Sequence, residues 1–431
     1  MTETPVAQDF EMHGSETRVP RKIWGLDRNV FFTGVTSFFM DVSSEMIYSI
    51  VPIFLSSVLH VDKTIIGLIE GVAETTASML KMVAGWLSDR LGRRKSLMIF
   101  GYGLSTLSRP ILALAGGWGQ VLGARFVDRF GKGVRTAPRD AIIADSVEPR
   151  ELGRSFGFHR AMDQFGAVLG PAIAFLILSQ RHNGYRTVFW VSLIPGVLSV
   201  LVIVFFIKER RRRDVAEASE PAAKLLDGTA AHVPRDPLRT RLSRLRGPLL
   251  AYLAVTAIFS LGNSSDAFLI LRARDLQVAA ALIPVLYVVF NFIYSAFSVP
   301  AGLVADRVGR RKVALIGFAV FAVAYAWMAL AHSQAAVWGV FAVYGVYMGV
   351  ADGNGRALLA EFSTGARRGT AFGAYHMTVG IAALPASVVA GLLYDHVSPA
   401  APFWVGAGAA VLAGLLMLAF VPEPRKGELR R

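Results

Sequence analysis

Seven charged side chains stand in one otherwise apolar stretch, residues 118–144, and they are the first candidates for chemistry. At 100° per residue they fall within about 140° of a helical wheel, so a single helix face carries all of them. Five are cations and two are carboxylates, which leaves a positive face suited to a carboxylate or phosphate group. These residues are Arg125, Asp128, Arg129, Lys132, Arg135, Arg139 and Asp140.

Three carboxylates elsewhere are candidates for binding protons. Asp41 and Glu45 are four residues apart, so they share a helix face. Two carboxylates close together in a low dielectric repel, which favours a proton on one of them. Asp163 follows His159 by one turn and forms a second candidate pair, although a histidine near a helix start is usually a surface residue. The alternative for the first pair is a permanent salt bridge to Arg109, Arg125 or Arg129.

Long apolar runs surround these charges. Hydrophobic residues make up 54% of the 431 residues, and the mean hydropathy is +0.48. Runs of about twenty apolar residues, such as Val188–Ile207, match the roughly 30 Å of hydrocarbon that a helix must cross. The sequence predicts twelve membrane-spanning helices, at residues 29–57, 64–88, 96–115, 118–144, 155–179, 187–207, 248–271, 280–304, 313–331, 335–360, 369–393 and 401–421.

The distribution of basic residues predicts the orientation of these helices. Loops on one side are rich in Lys and Arg, whereas residues 116–119, 332–334 and 394–400 contain none. Cytoplasmic loops carry such an excess, so we expect both termini to be cytoplasmic, in the cell membrane of a bacterium. The net charge of +14 is explained by this placement and does not indicate nucleic-acid binding. The first 22 residues lack the apolar core of a signal peptide, and the absence of cysteine excludes disulfides.

An internal repeat divides the chain into two halves. The segment Gly85–Lys95 recurs as Gly302–Lys312, in each case after the second helix of its half. Parallel halves of this kind place a substrate path between them, near the middle of the membrane. The predicted divisions are a cytoplasmic tail (1–28), a six-helix bundle (29–207), a cytoplasmic linker (208–247), a second six-helix bundle (248–421) and a C-terminal tail (422–431).

The repeated Gly-x-x-x-Asp-Arg-x-Gly-Arg-Arg loop resembles the best-known motif of the major facilitator superfamily. The resemblance implies an all-α membrane protein with two pseudo-symmetric six-helix bundles that transports by alternating access. It also implies that the loop latches neighbouring helices in one conformation; the alternative is that it only orients helices during insertion. The implied gating residues are Gly85, Asp89, Arg90, Gly92 and Arg93, with Gly302, Asp306, Arg307, Gly309 and Arg310 in the second half.

A second element, Gly166-x-x-x-Gly170-Pro171, is similar to one found in the antiporters of this superfamily. Small residues let two helices approach closely, and proline bends a helix. The resemblance implies that these three residues seal the transport path, and it favours export by antiport over uptake.

The charges and the resemblance together predict a secondary transporter. Charges in hydrocarbon cost about 2.5–3.5 kcal/mol each, so the deep cations must meet carboxylates or water. We expect proton-coupled export of a small organic anion or amphipathic solute, the alternative being import or exchange of an organic-anion or phosphate-containing metabolite. We expect a monomer in the lipid bilayer without cofactor, metal or enzymatic activity, because no nucleophile–base pair or nucleotide-binding loop is present. The candidate substrate-binding residues are Arg125, Arg129, Lys132, Asp266 and Asn291.

Overall fold

The structure is a computed structural model that describes residues 22–91, 94–148, 151–181, 183–208, 247–362 and 368–423, with the backbone alone at residues 22, 81–91, 352 and 368–370. A two-stranded hairpin, β1 (Lys22–Ile23) with β2 (Leu26–Asp27), precedes the helices. The twelve long helical elements are α1 (Arg28–Val58), α2 (Lys63–Leu91), α3 (Arg94–Leu114), α4 (Trp118–Ser146), α5 (Leu152–Gln180), α6 (Tyr185–Phe206), α7 (Gly247–Asp275), α8 (Ala280–Val308), α9 (Arg310–Leu330), α10 (Gln334–Glu361), α11 (Arg368–His396) and α12 (Ala401–Phe420).

All twelve predicted helices are present, and their ends lie within about one turn of the predicted ones. Among the described residues, ten of them are long and apolar enough to cross a membrane. The other two, α2 and α4, are equally long but carry several charged residues. The predicted linker, apart from Lys208 and Gly247, and most of both tails lie outside the described residues.

Two helices are interrupted where the halves meet. α1 is helical to Tyr48, turns at residues 49–50, and continues through Val51–Ile53 into a π-helical turn, Phe54–Val58. Pro52 lacks a backbone N–H, so one hydrogen bond of a continuous helix would be missing at this point. α7 opens between Gly247–Gly262 and Ala267–Asp275. The second part of α7 packs against the Val51–Ile53 part of α1.

Each half is a six-helix bundle, and the two bundles repeat the same packing. In the first half α1 packs on α5 and α6, α4 packs on α2 and α3, and α3 packs on α6. The second half repeats every one of these pairs six helices later, which is the pseudo-symmetry that the repeated loop predicts. The pairs α2–α11 and α5–α8 join the halves.

The two ends of the molecule are distinguished by the chain itself. We call the end at which α1 begins the terminal end, and the end at which α1 finishes and α2 begins the far end. The Asn29 side chain donates to the carbonyl oxygen of Lys208 at 2.9 Å, which places the start of α1 beside the end of α6. Arg311, at the start of α9, donates to the Leu418 carbonyl of α12 at 2.7 Å. α12 therefore ends at the same end as α1 begins.

Candidate functional site

Two ion pairs hold α4 against α2, and the first of them is fully buried. Arg125 pairs with Glu70, and their side chains are 4% and 2% exposed. One turn later, Arg129 Nη2 lies 3.2 Å from Glu74 Oε1. The sequence suggested the α1 carboxylates as possible partners for these guanidinium groups, but the partners are on α2. Both arginines are therefore neutralised within the first half.

A third ion pair fixes α3 between α1 and α4. Arg109 is 1% exposed, and its Nη1 lies 3.1 Å from Asp128 Oδ1. The same guanidinium donates to the hydroxyls of Ser43, Ser44 and Ser108 at 2.9–3.1 Å. Because all three guanidinium nitrogens make hydrogen bonds, Arg109 joins α1, α3 and α4. The sequence indicated Arg109 only as a possible salt-bridge partner of Asp41 and Glu45.

The α1 carboxylates lie where α5 approaches α1 most closely. A Cβ atom at Gly166 would lie 2.7 Å from the Phe38 carbonyl oxygen, and one at Gly170 would lie 3.1 Å from Glu45 Cβ. The Gly-x-x-x-Gly spacing thus lets the α5 backbone pack directly on the turns of α1 that bear Asp41 and Glu45. Pro171, the last residue of this element, is buried in α5.

Asp41 and Glu45 face a lysine. Within the described part of the chain neither carboxylate makes a hydrogen bond or an ion pair. Lys132 of α4 is the cation that acts most strongly on both of them. It is exposed although it lies at the middle of α4. One cation opposite two carboxylates can bind an anionic group once both carboxylates are protonated.

A buried histidine, which the sequence interpretation discounted, joins α1 to α5. His159 is 4% exposed, and its Nε2 lies 2.7 Å from the hydroxyl of Ser37. Its Nδ1 lies 3.5 Å from Asp163 Oδ2. The one-turn spacing of His159 and Asp163 was the available signal, but the sequence did not show that α1 covers this face.

The second half meets the first with aromatic rings. Tyr48 lies between the two halves, with the guanidinium carbons of Arg125 and Arg129 5.7 and 5.6 Å from its ring centre. On its other side the Tyr287 ring lies 5.7 Å away, edge to face. Cations over a ring face and rings in edge-to-face contact are both favourable arrangements. The centre of the molecule is thus charged on one side and aromatic on the other.

The second half contains two candidate substrate-binding residues, Asp266 and Asn291, and both make hydrogen bonds within the protein. Asp266 accepts a hydrogen bond from the Tyr344 hydroxyl at 2.6 Å, at the break in α7. Asn291 Nδ2 donates to the Ala167 carbonyl oxygen at 3.4 Å, across the α5–α8 contact between halves. Asn291 therefore helps to join the halves in this conformation.

The repeated loop is described only in its second copy. In the first copy Gly92 and Arg93 lie outside the described residues, as do the side chains of Asp89 and Arg90 and the surroundings of Gly85.

In the second copy, Arg310 pairs with Asp306 at 3.0 Å and with Glu361 of α10 at 2.9 Å. Gly309 adopts a φ of 110°, which the predicted tight turn requires of a glycine. Arg307 is exposed, and a Cβ atom at Gly302 would meet no neighbour.

The described contacts between the halves run from the far end to the middle. At the far end Asp395 of α11 accepts hydrogen bonds from the first backbone N–H groups of α2. Near the middle, the Thr75 hydroxyl of α2 donates to the Gly380 carbonyl of α11 at 2.7 Å. Arg160 of α5 is hydrogen-bonded to the Tyr294 hydroxyl of α8. Two six-helix bundles joined in this way around a charged centre form the architecture of a transporter.

Comparison with known proteins decides the family. The model of the Major Facilitator Superfamily matches residues 33–271 and 250–431, which include both halves. The chain belongs to the major facilitator superfamily. It is 33% identical to an MFS-type transporter of Methanocaldococcus jannaschii over 399 residues, which cover 91% of this chain and 95% of that protein. This superfamily member is therefore a membrane transporter and not an enzyme.

Two further relatives carry more specific names. A probable 4-methylmuconolactone transporter of Cupriavidus pinatubonensis is 26% identical over 261 residues, which cover 57% of this chain and 56% of that one. The human organic anion transporter MFSD10 has a similar structure, with a TM-score of 0.61, 18% identity and coverage of 90% and 99%. A POT family transporter superposes with a TM-score of 0.74 at 13% identity, covering 94% of this chain and 98% of that one. These structural likenesses establish the fold alone.

Replacing Asp395 with alanine is expected to open the far end of the transporter more often. The Asp395 carboxylate accepts from the backbone N–H groups of Lys63 and Thr64 at 3.2 and 2.8 Å, and from the Thr64 hydroxyl at 2.8 Å. It therefore caps a helix of the opposite half. Loss of a helix cap costs about 1 kcal/mol, which corresponds to a rise of about fivefold in the open population.

A cysteine at Ser387 measures this opening. Ser387 is 3% exposed in the α2–α11 contact, and the chain has no other cysteine. A membrane-impermeant maleimide should label Ser387→Cys faster when Asp395→Ala is also present. Asp62→Ala, at an exposed carboxylate just before α2, is the matched control and should leave the rate unchanged. Equal labelling rates with and without Asp395 would show that the cap does not hold the far end closed.

Proposed function

We propose that this transporter carries a small organic anion, or an amphipathic solute with an anionic group, by alternating access coupled to protons. The observation that carries the proposal is the position of Lys132, exposed at mid-membrane opposite Asp41 and Glu45. A charge at that depth must meet water, counter-charges or a ligand. An anionic solute group would satisfy the lysine while protons neutralise the carboxylates.

The other cations of α4 shape this proposal. Because Arg125 and Arg129 are paired with Glu70 and Glu74, we assign them to holding the wall of the site and to orienting Tyr48. Lys132 then takes the anionic group directly. Asp266 and the aromatic residues around it would contact the apolar part of the solute from the second half.

The names of two relatives support an anionic solute. One is a probable 4-methylmuconolactone transporter and the other is described as an organic anion transporter. We extend the solute class to this chain because its mid-membrane lysine provides a partner for an anionic group.

Two features favour opposite directions of transport. The antiporter-like element Gly166–Pro171 supports export in exchange for protons, with both termini cytoplasmic and the repeated loops acting as gates of a monomer. The lysine–carboxylate arrangement supports the alternative, uptake together with protons. Protonation of both Asp41 and Glu45 removes the negative charge that faces Lys132, so protons and an anion bind better together than alone.

Flux measurements test the proposed function. The purified protein is placed in liposomes with an imposed pH gradient, and labelled small carboxylates, 4-methylmuconolactone among them, are offered from either side. A flux that follows the pH gradient is expected for at least one carboxylate. Flux restricted to cationic or neutral solutes would contradict the anion proposal, and flux indifferent to the gradient would contradict proton coupling.

Lys132→Gln is expected to reduce this flux by about tenfold or more, because loss of one charge-assisted hydrogen bond costs about 1.5–3 kcal/mol. Lys132→Arg keeps the charge and should retain most of the flux. The control is Lys208→Gln, which removes an exposed lysine just after α6, outside both repeated loops. Equal loss in Lys132→Gln and Lys208→Gln would indicate a general charge effect and would remove Lys132 from the site.

A further inference from the structure

Three polar side chains form a buried chain between α1 and α5, on the terminal side of Asp41 and Glu45. The Ser37 hydroxyl lies 2.7 Å from His159 Nε2, and His159 Nδ1 lies 3.5 Å from Asp163 Oδ2. The other carboxyl oxygen of Asp163, Oδ1, is buried and makes no hydrogen bond within the described part of the chain. A buried anionic oxygen without a donor is strongly unfavourable, whereas the carbonyl oxygen of a neutral carboxyl costs far less.

The charges around the two groups are mostly positive. Arg139 and Arg160 both act on the imidazole of His159, and like charges disfavour a second cation there. Around Asp163 the charges are Asp41, Arg139, Arg160 and Lys132. The Tyr102 hydroxyl of α3 and Nη1 of Arg139 each lie 3.4 Å from Ser37 Oγ.

We propose that His159 and Asp163 form a proton-binding site of their own, separate from the Asp41–Glu45 pair, in which a neutral imidazole positions a protonated carboxyl. The Asp163 hydroxyl faces His159 Nδ1, and His159 Nε2–H donates to Ser37 Oγ. This arrangement makes Oδ1 a carbonyl oxygen, which accounts for its lack of a donor. Asp163 is the group that binds the proton, and His159 is a positioning residue.

The site has a direct connection to the contact between the halves. Arg160 follows His159 in the chain and is hydrogen-bonded to Tyr294 of α8. When Asp163 releases its proton, its carboxylate attracts the Arg160 guanidinium in competition with the Tyr294 hydroxyl. Loss of the proton would then weaken the α5–α8 contact. This consequence rests on the proposed proton-coupled transport, whereas the proton site itself does not.

Infrared difference spectroscopy tests the site without any solute. The full chain in liposomes is titrated from acid to alkaline pH, and the C=O stretch of protonated carboxyl groups is followed. Asp163→Asn should remove one band that wild type and Asp62→Asn both show. His159→Gln should keep this band but move its frequency, because the hydrogen-bond partner of the carboxyl has changed. A purely structural histidine would leave the frequency unchanged.

Two results would overturn this proposal. If the Asp163→Asn spectrum equals that of wild type, or if His159→Gln leaves the frequency of the band unchanged, the assignment is overturned. Should a variant fail to fold, wild type labelled with ¹³C at its aspartate carboxyls gives a second measurement, in which a band that does not shift is not aspartate. Flux that ignores a pH gradient would contradict the proposed coupling and leave this band in place, so the two failures are distinguishable.

Discussion

Replacing Arg125 with leucine is expected to lower the free energy of unfolding by about 3–5 kcal/mol, because the Glu70 carboxylate would remain buried without its partner. The two side chains are only 4% and 2% exposed, so both charges are buried. Arg125 Nε and Glu70 Oε1 already lack hydrogen-bond partners among the described residues. The ion pair is therefore the principal compensation for both charges. Thermal unfolding of the purified protein, followed by its helical signal, measures the loss.

A double variant distinguishes the effect of losing the ion pair from the effect of losing side-chain packing. Arg125→Leu combined with Glu70→Met removes both charges and keeps the volume, so most of the stability should return. The control is Asp306→Asn, which breaks an ion pair whose carboxylate is 62% exposed and should cost less than about 1 kcal/mol. If Arg125→Leu alone unfolds at the wild-type temperature, the pair does not hold α4 to α2.

Replacing Gly67 with alanine is expected to reduce transport by about tenfold or more, because the far end can no longer close fully. The new Cβ atom would overlap the backbone carbonyl oxygen of Ser387 in α11. A clash with backbone is not relieved by a rotamer change, and overpacking of this kind costs about 1–3 kcal/mol in one of the two states of the cycle. Uptake or efflux in liposomes measures the loss.

A matched glycine provides the control for this prediction. A Cβ atom at Gly103 of α3 would meet nothing within 4 Å, so Gly103→Ala should transport at the wild-type rate. The Ser387→Cys probe should react faster in Gly67→Ala, as in Asp395→Ala, because both substitutions weaken the same contact. Unchanged flux together with faster labelling would show that closure of the far end does not limit transport.

The fold was predictable from the sequence because the membrane imposes simple rules. A helix must satisfy its own backbone hydrogen bonds in lipid, and its length must match the bilayer, so hydropathy locates most of the helices. The duplicated Asp-Arg loop reveals the two halves, and even the Gly166–Gly170 spacing correctly indicated a close helix contact. Each of these features is local in sequence or repeats within it.

The partners of the charged residues were not predictable in the same way. The sequence showed that cations and carboxylates must meet inside the membrane, but several pairings satisfy that requirement equally. Helix packing places α2 beside α4, so Glu70 and Glu74 neutralise Arg125 and Arg129. As a result the α1 carboxylates face Lys132 instead.

The sequence by itself determined the twelve helices, the duplicated halves, the superfamily and the presence of unavoidable charges at membrane depth. Only the tertiary structure decided which of those charges pair with one another. It also decided that His159 is buried, since the covering surface comes from Ser37, 122 residues earlier in the chain. The physical reason is that hydropathy acts along one helix, whereas an ion pair or a hydrogen bond depends on which helices are neighbours and how each is rotated.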